Sequence, residues 1–347
     1  MGDPDRRVAL FRELEARVLG RYLPDAVEHV VPWGDSWIRV VEVGEGPPVV
    51  FLHGITATLG NFASLASNVS ARHRCVLMDL PGHGLSGPLT LGERGPRNVL
   101  VDALTTLLQH RLPGRAVTLV GNSLGAMTSF YLAADHPDRV AALVVLGEPA
   151  YAFPGARARF PLDLLGRRVL GPGTLRLPPP PLALYARVMR RGIGRAALDR
   201  MGREVLDLNR RAVWVGRHAG SVAALMRALM GRRGFAAEGV ALRDEDLDRI
   251  EVPTWFLWGA DDPFMSPHRR SAVGAAHRRR DHRRRAGSPC SLVRRPRPVP
   301  GTAAGTPRAR VAPGSHQAAR GRPGSTPAPR HLILGREDRG PGPSSSA

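Results

Sequence analysis

A chain of 347 residues with 43% hydrophobic residues can bury a large core, as one large domain with an insert or as two ordinary ones. Two cysteines, Cys75 and Cys290, exclude a disulfide scaffold and a cysteine-based metal cluster, and no apolar run approaches the roughly 20 residues of a membrane span. The net charge of +20 points toward nucleic acid only until its distribution is read: every basic residue is Arg, and sixteen of them lie between Arg278 and Arg339 against three acids, Asp281, Glu337 and Asp338.

Taken in chain order, residues 1–25 read as an amphipathic helix, charged and without the apolar core of a signal peptide, so a cytoplasmic location is expected. Short runs of strand character follow at Val27–Val31, Trp37–Glu42 and Pro48–Leu52, the first two joined as a hairpin around Trp33-Gly34-Asp35. Further apolar runs lie at Cys75–Met78, Val117–Val120 and Ala141–Leu146, with helical patterns between them at Leu59–Ala71, Arg97–Arg111 and Leu124–His136. Strands that are apolar on both faces and alternate with helices predict an α/β fold with a doubly wound, mostly parallel sheet.

The rhythm then changes. Residues 150–236 read as a helical insert, and a strand returns at Val252–Trp258. The predicted organisation is an N-terminal helix (1–25), a first core part (26–149), a helical cap (150–236), a second core part (237–276) and an Arg/Pro/Gly low-complexity tail (277–347), basic and predicted disordered.

Gly121-Asn122-Ser123-Leu124-Gly125 carries the strongest chemistry. It follows a buried-type strand and opens a helix, the setting in which flanking glycines permit a strained turn that lifts a serine hydroxyl toward a ligand. The helix N-terminus beneath it favours developing negative charge. His53-Gly54-Ile55-Thr56 directly follows the strand Pro48–Leu52 and can aim a backbone N–H at the same place. The N–H groups of Ile55 and Leu124 are the candidate oxyanion hole, and His53 reads as a brace for the loop. Asp79-Leu80-Pro81-Gly82-His83-Gly84 reads as a sharp turn tied by Asp79, with no catalytic role for His83. Gly259-Ala260-Asp261-Asp262-Pro263 offers a carboxylate to orient an imidazole: Asp262 is the choice, Asp261 the alternative, and Glu148 a third.

These four segments, in this order and at these strand ends, resemble the α/β-hydrolase superfamily, in particular its lid-bearing, esterase-like branch, over about residues 26–270. The resemblance implies an eight-stranded sheet with a cap inserted after the sixth strand, Ser123 as nucleophile, Asp262 as acid, and Ile55 with Leu124 as oxyanion donors. It implies no cofactor and no metal. The expected partner is a small, apolar acyl substrate bound under the cap, with neither nucleic acid nor membrane involved. Esterases, lactonases, thioesterases and C–C bond hydrolases all fit.

The triad order also demands a histidine after the acid. By resemblance it belongs about 25 residues beyond Asp262, where the chain has instead His277-Arg278-Arg279-Arg280-Asp281-His282-Arg283. His282 is a weak candidate in an Arg-rich surround, and His316 and His331 lie in low complexity. Codons for Ala286–Pro298 can be written that, read one nucleotide later, give PGHPAPWFDDPDR, and the residues before them give the strand-like IGAGTIDVV. The hidden tryptophan needs a Leu codon followed by a Val codon, which Leu292-Val293 supplies. A reading-frame shift near residues 272–277 is therefore expected, and with it a catalytically impaired chain. Two rivals differ in kind: a non-catalytic binding protein of the same fold, and a nucleic-acid binder driven by the tail, which the lack of aromatics after Phe264 disfavours.

Overall fold

The fold was analysed in a computed structural model that describes residues 4–157, 178–193, 195–212, 215, 219–231 and 234–257. Seven strands form one sheet in the order β1-β2-β4-β3-β5-β6-β7: β1 Val27–Trp33, β2 Ser36–Val43, β3 Pro48–Leu52, β4 Arg74–Met78, β5 Val117–Asn122, β6 Val140–Leu146 and β7 Thr254–Leu257. The hairpin β1–β2 is antiparallel, closed by Gly34-Asp35 with Gly34 at φ 58°. β2 runs antiparallel to β4, and from β4 onward every pairing is parallel.

The parallel strands explain their sequences. Along β3, Val50 and Leu52 face one core cluster while Val49 and Phe51 face another. β4 divides likewise, Val76 and Met78 against Cys75 and Leu77. Both faces are covered, so period-2 alternation of polarity is absent and the strands read as continuous apolar runs. The helices α3 (Gly95–Arg111) and α4 (Leu124–Asp135) pack on the first face; α1 (Pro4–Tyr22) and α2 (Ala63–Val69) pack on the second. Every residue of α4 from Leu124 to Ala134 is buried, which accounts for its lack of a polar face.

The helix expected over Leu59–Ala71 is split. A 3-10 turn, Leu59–Phe62, precedes α2, which stops at Val69. Ser67 Oγ and Asn68 Nδ2 both donate to the Ser64 carbonyl, a local competition that weakens the end of a helix.

Between β6 and β7 the described residues form α5 (Leu182–Ile193), α6 (Arg195–Arg200), α7 (Arg203–Ala212), α8 (Ala219–Leu229) and α9 (Asp244–Arg249). The two ends of this helical segment lie side by side. Arg157 bridges Phe235, Tyr151 Oη donates to the Gly234 carbonyl at 3.2 Å, and Leu242 N–H donates to the Ala152 carbonyl at 2.9 Å.

One ion cluster ties α3, α4 and α9 together. Arg97 donates to Asp135 and, at 3.1 Å, to the buried Asp246, which also accepts from Arg249 and from its own helix-start amide, Arg243 N–H, at 3.0 Å. The Arg97 guanidinium lies 5.2 Å from the Tyr131 ring centre, and Tyr131 Oη donates to the Val240 carbonyl. Burial works against the Asp246 carboxylate, but the bonds from Arg97, Arg243 and Arg249 outweigh it and hold its pKa well below the usual range. A depressed pKa gives stability that is present above the unfolded-state value of about 3.9 and is lost as pH falls. Asp246→Asn is predicted to cost about 2 kcal/mol at pH 7 and to flatten the loss of stability below pH 4. Urea unfolding followed by tryptophan fluorescence at pH 3.5, 5 and 7 checks both.

Candidate active site

The turn between β5 and α4 places Ser123 at φ 49°, ψ −111°, a left-handed conformation that costs a side-chain-bearing residue on the order of 1–3 kcal/mol. Its surroundings enforce the strain. A Cβ at Gly121 would lie 2.5 Å from Ala126 N, and one at Gly125 would collide with the Leu52 carbonyl at the end of β3. Only glycine lets α4 start this close to both strands. The Ser123 side chain makes no capping bond to its own helix, and the residue is partly exposed.

The loop after β3 reaches the same point. A Cβ at Gly54 would lie 2.8 Å from Asn122 Oδ1 and 3.3 Å from Ser123 Cβ, so the bare Gly54 backbone sits against the serine. Asn122 is fixed there by its Nδ2 donating to the Leu146 carbonyl at the end of β6, 2.7 Å away. Ile55 follows, half-buried, and packs against both the main core and a cluster in the helical segment built from Tyr185, Val222 and Met226. Leu124, the first residue of α4, is buried. Ser123, Leu124, Gly54 and Ile55 are thus brought to one place by the carboxyl ends of adjacent parallel strands.

His53 has both ring nitrogens occupied. Leu80 N–H donates to Nε2 at 3.0 Å, so the proton sits on Nδ1, which donates to the Gly54 carbonyl at 2.8 Å. Burial lowers its pKa despite Asp79 Oδ1 at 3.8 Å and the bond to Gly54. A neutral imidazole with no free lone pair braces the loop and cannot take a proton from Ser123. His83 is buried, with Nδ1 3.1 Å from the Pro81 carbonyl and its ring 5.2 Å from that of His53.

Asp79 is fully buried and binds two loops at once: Oδ1 accepts from Leu59 N–H at 2.9 Å and Oδ2 from Leu85 N–H at 3.0 Å. Glu148 follows β6 and is partly buried. Asp261, Asp262, His277, His282, His316 and His331 lie outside the described residues. Among the described residues no group of His, Cys, Asp and Glu is arranged to hold a metal ion, and no helix is long and apolar enough to cross a membrane.

Sequence reading passes over two residues near the site. Asn122 is the variable position of the serine motif, and nothing in the sequence marks it as the residue that spans β5, β6 and Gly54. Arg39, on β2, donates to Asp79 Oδ2 at 3.1 Å, a contact created by strand register and not by spacing.

Comparison with known proteins agrees with this fold. Residues 47–166 match the family model described as alpha/beta hydrolase fold. The chain is 36% identical over 118 residues to the 2-(acetamidomethylene)succinate hydrolase of Mesorhizobium japonicum, covering 34% of this chain and 41% of that protein. It is 34% identical over 137 residues to the pimeloyl-[acyl-carrier protein] methyl ester esterase of Chromobacterium violaceum, covering 38% of this chain and 51% of that one. The chain thus spans about half or less of the length of these relatives. In structure it resembles the naproxen esterase of Bacillus subtilis, with a TM-score of 0.60 and 17% identity over 81% of this chain and 87% of the other. The sheet order and these matches together show that the chain has the α/β-hydrolase fold, with residues 47–166 similar in sequence to that family.

Proposed function

We propose that the chain is a serine hydrolase acting on a carboxylic ester or related acyl compound. The observation that carries the reading is Ser123 at φ 49° with Gly54 packed against it, which sets the hydroxyl next to the start of α4 and to the loop that bears Ile55. In this reading Ser123 Oγ attacks the acyl carbon as a base removes its proton. The Ile55 and Leu124 amides hold the oxyanion, the alcohol leaves, and water then releases the acid and restores Ser123. Asp262 orients the base. One oxyanion donor is worth on the order of a hundred- to a thousand-fold in rate. Relatives named as a 2-(acetamidomethylene)succinate hydrolase and a methyl ester esterase support hydrolytic chemistry of this kind.

The helical segment 150–236 serves as the cap of this enzyme. Tyr185, Met189, Met201, Val222 and Met226 cluster there with Ile55 packed against them, an apolar and adaptable wall beside the oxyanion loop. The substrate is accordingly a small apolar acyl compound, met in the cytoplasm without cofactor.

The base is the open position. His53 is excluded by its bonds, and His282 stands in an Arg-rich stretch. We attribute the gap to the frame shift near residues 272–277. Among the described residues β7 pairs only with β6, and it exposes Trp255 and Leu257. The shifted frame supplies both a strand, IGAGTIDVV, and a Gly-His after it, 26 residues past Asp262.

Two outcomes are predicted. The chain as it stands hydrolyses p-nitrophenyl butyrate slowly, and replacing residues 277–298 by the sequence of the shifted frame raises kcat by about a thousandfold or more, a gain that Ser123→Ala removes. Robust Ser123-dependent turnover without that replacement contradicts the lost base. Gly54→Ala, which drives a methyl group toward Asn122 and Ser123, lowers kcat of the repaired enzyme at least about tenfold with little change in KM, because the oxyanion amide moves while the apolar wall stays. Steady-state kinetics on the two variants decides.

A further inference from the structure

Behind the site lies a buried charge cluster that the proposed reaction does not use. Arg39 on β2 lies beside the end of β4, where the Asp79 N–H donates to the Arg39 carbonyl at 3.0 Å. Its Nη1 donates to Asp79 Oδ2 at 3.1 Å and to Glu15 Oε2 of α1 at 2.5 Å, and its Nη2 donates to Glu28 Oε2 of β1 at 2.7 Å. The side chains of Arg39, Glu15 and Asp79 are 4%, 1% and 0% exposed, so one guanidinium faces three carboxyl groups with almost no water to share the load. Glu15 Oε1 is buried with no hydrogen-bond partner. It points toward Gly60, at which a Cβ would lie 3.5 Å from it and 2.7 Å from Leu208 Cδ2.

The cluster connects α1 to the proposed oxyanion loop. Asp79 passes the connection on through Leu59 N–H, at the end of the segment that begins His53-Gly54-Ile55, and through Leu85 N–H. We propose that Glu15 is a positioning residue for residues 53–59, acting through Arg39 and Asp79. With a proton on Oε1, Glu15 leaves the guanidinium to Asp79 and Glu28. Without it, an additional buried negative charge repels Asp79 across the shared guanidinium and slackens Asp79's hold on Leu59 and Leu85.

Burial, partly offset by Arg39, pushes the Glu15 carboxyl up to about 7, with Asp79 and Glu28 adding to the rise. A raised pKa gives stability that is fully present below the unfolded-state value of about 4.3 and is lost as pH rises through about 7. The groups facing Glu15 are Arg39 from β2, Asp79 from the end of β4, and Glu28 from β1, which Arg12 of α1 meets at 3.6 Å. The turn Leu59–Phe62 and α7 contribute the uncharged Gly60 and Leu208. The ionic residues of α7 are engaged elsewhere, Asp207 with Arg210 and Arg211, and Glu204 with Arg21. His53 stands behind Asp79 in its neutral form.

The test is hydrogen–deuterium exchange of the full chain between pH 6 and 8.5, corrected for the intrinsic pH dependence of exchange. Peptides covering residues 53–62 and 79–89 are expected to lose about tenfold more protection over this range than the peptide covering residues 117–135. Glu15→Gln, which mimics the protonated form, is expected to abolish the difference while keeping the low-pH protection. Equal pH dependence in all three peptides of the unmodified chain overturns the proposal, whether or not the variant folds, and so does an unchanged difference in a folded Glu15→Gln protein. The proposal takes its catalytic meaning from the reading of Ile55 as an oxyanion donor. A pH-dependent loop in a protein whose Ser123 has no hydrolytic role would sink that reading and leave the positioning intact.

Discussion

A serine held at φ 49° between a strand and a helix is the constraint on which the remaining structure turns. The conformation is unfavourable by itself, so the surroundings must leave no alternative. Here that enforcement is backbone against backbone. Gly125 lies on the Leu52 carbonyl, Gly121 on Ala126, and Gly54 on Asn122 and Ser123. Three glycines therefore allow two strand ends and one helix start to converge on a single hydroxyl. The same convergence points the positive end of α4 at any negative charge that forms there.

The two buried ion clusters have opposite pH behaviour because their stoichiometries differ. Asp246 is matched by Arg97 and Arg249 and by a helix-start amide, so it stays ionised and weakens the protein only in acid. Around Arg39 the carboxyls outnumber the guanidinium, and Glu15 keeps one oxygen without a partner, so that cluster is strained on the alkaline side. The first cluster secures α9 against α3 and α4. The second runs from α1 to the loops beside Ser123, which makes it the one able to reach the site.

Much of this was legible in the sequence for a definite reason. Strands covered on both faces must be apolar throughout, so β3, β4, β5 and β6 announced themselves, and the Gly-Asn-Ser-Leu-Gly motif placed the bend between β5 and α4. The role of His53 as a brace also followed from its position, although its tautomer needed the Leu80 amide. What stayed hidden depends on register. Glu15 and Arg39 are twenty-four residues apart and meet only because β2 pairs with β4 and α1 crosses behind them. Asn122 carries no signal beyond its neighbours. The early stop of α2 at Val69 goes with serine and asparagine side chains bonding backward to Ser64, which a periodicity pattern does not register.

The acid and the base of the proposed triad fall in a different part of the chain, where Asp262 is followed by an arginine-rich stretch without apolar rhythm. The serine, its bend and the adjoining loop stand apart from that question, since each is built from residues 48–146. The most direct test of the central claim is therefore made at the serine itself. Prolonged incubation of the full chain with a fluorophosphonate, followed by peptide mapping, is predicted to give a slowly formed adduct confined to Ser123. An adduct spread over several serines, or none at Ser123, would contradict the account.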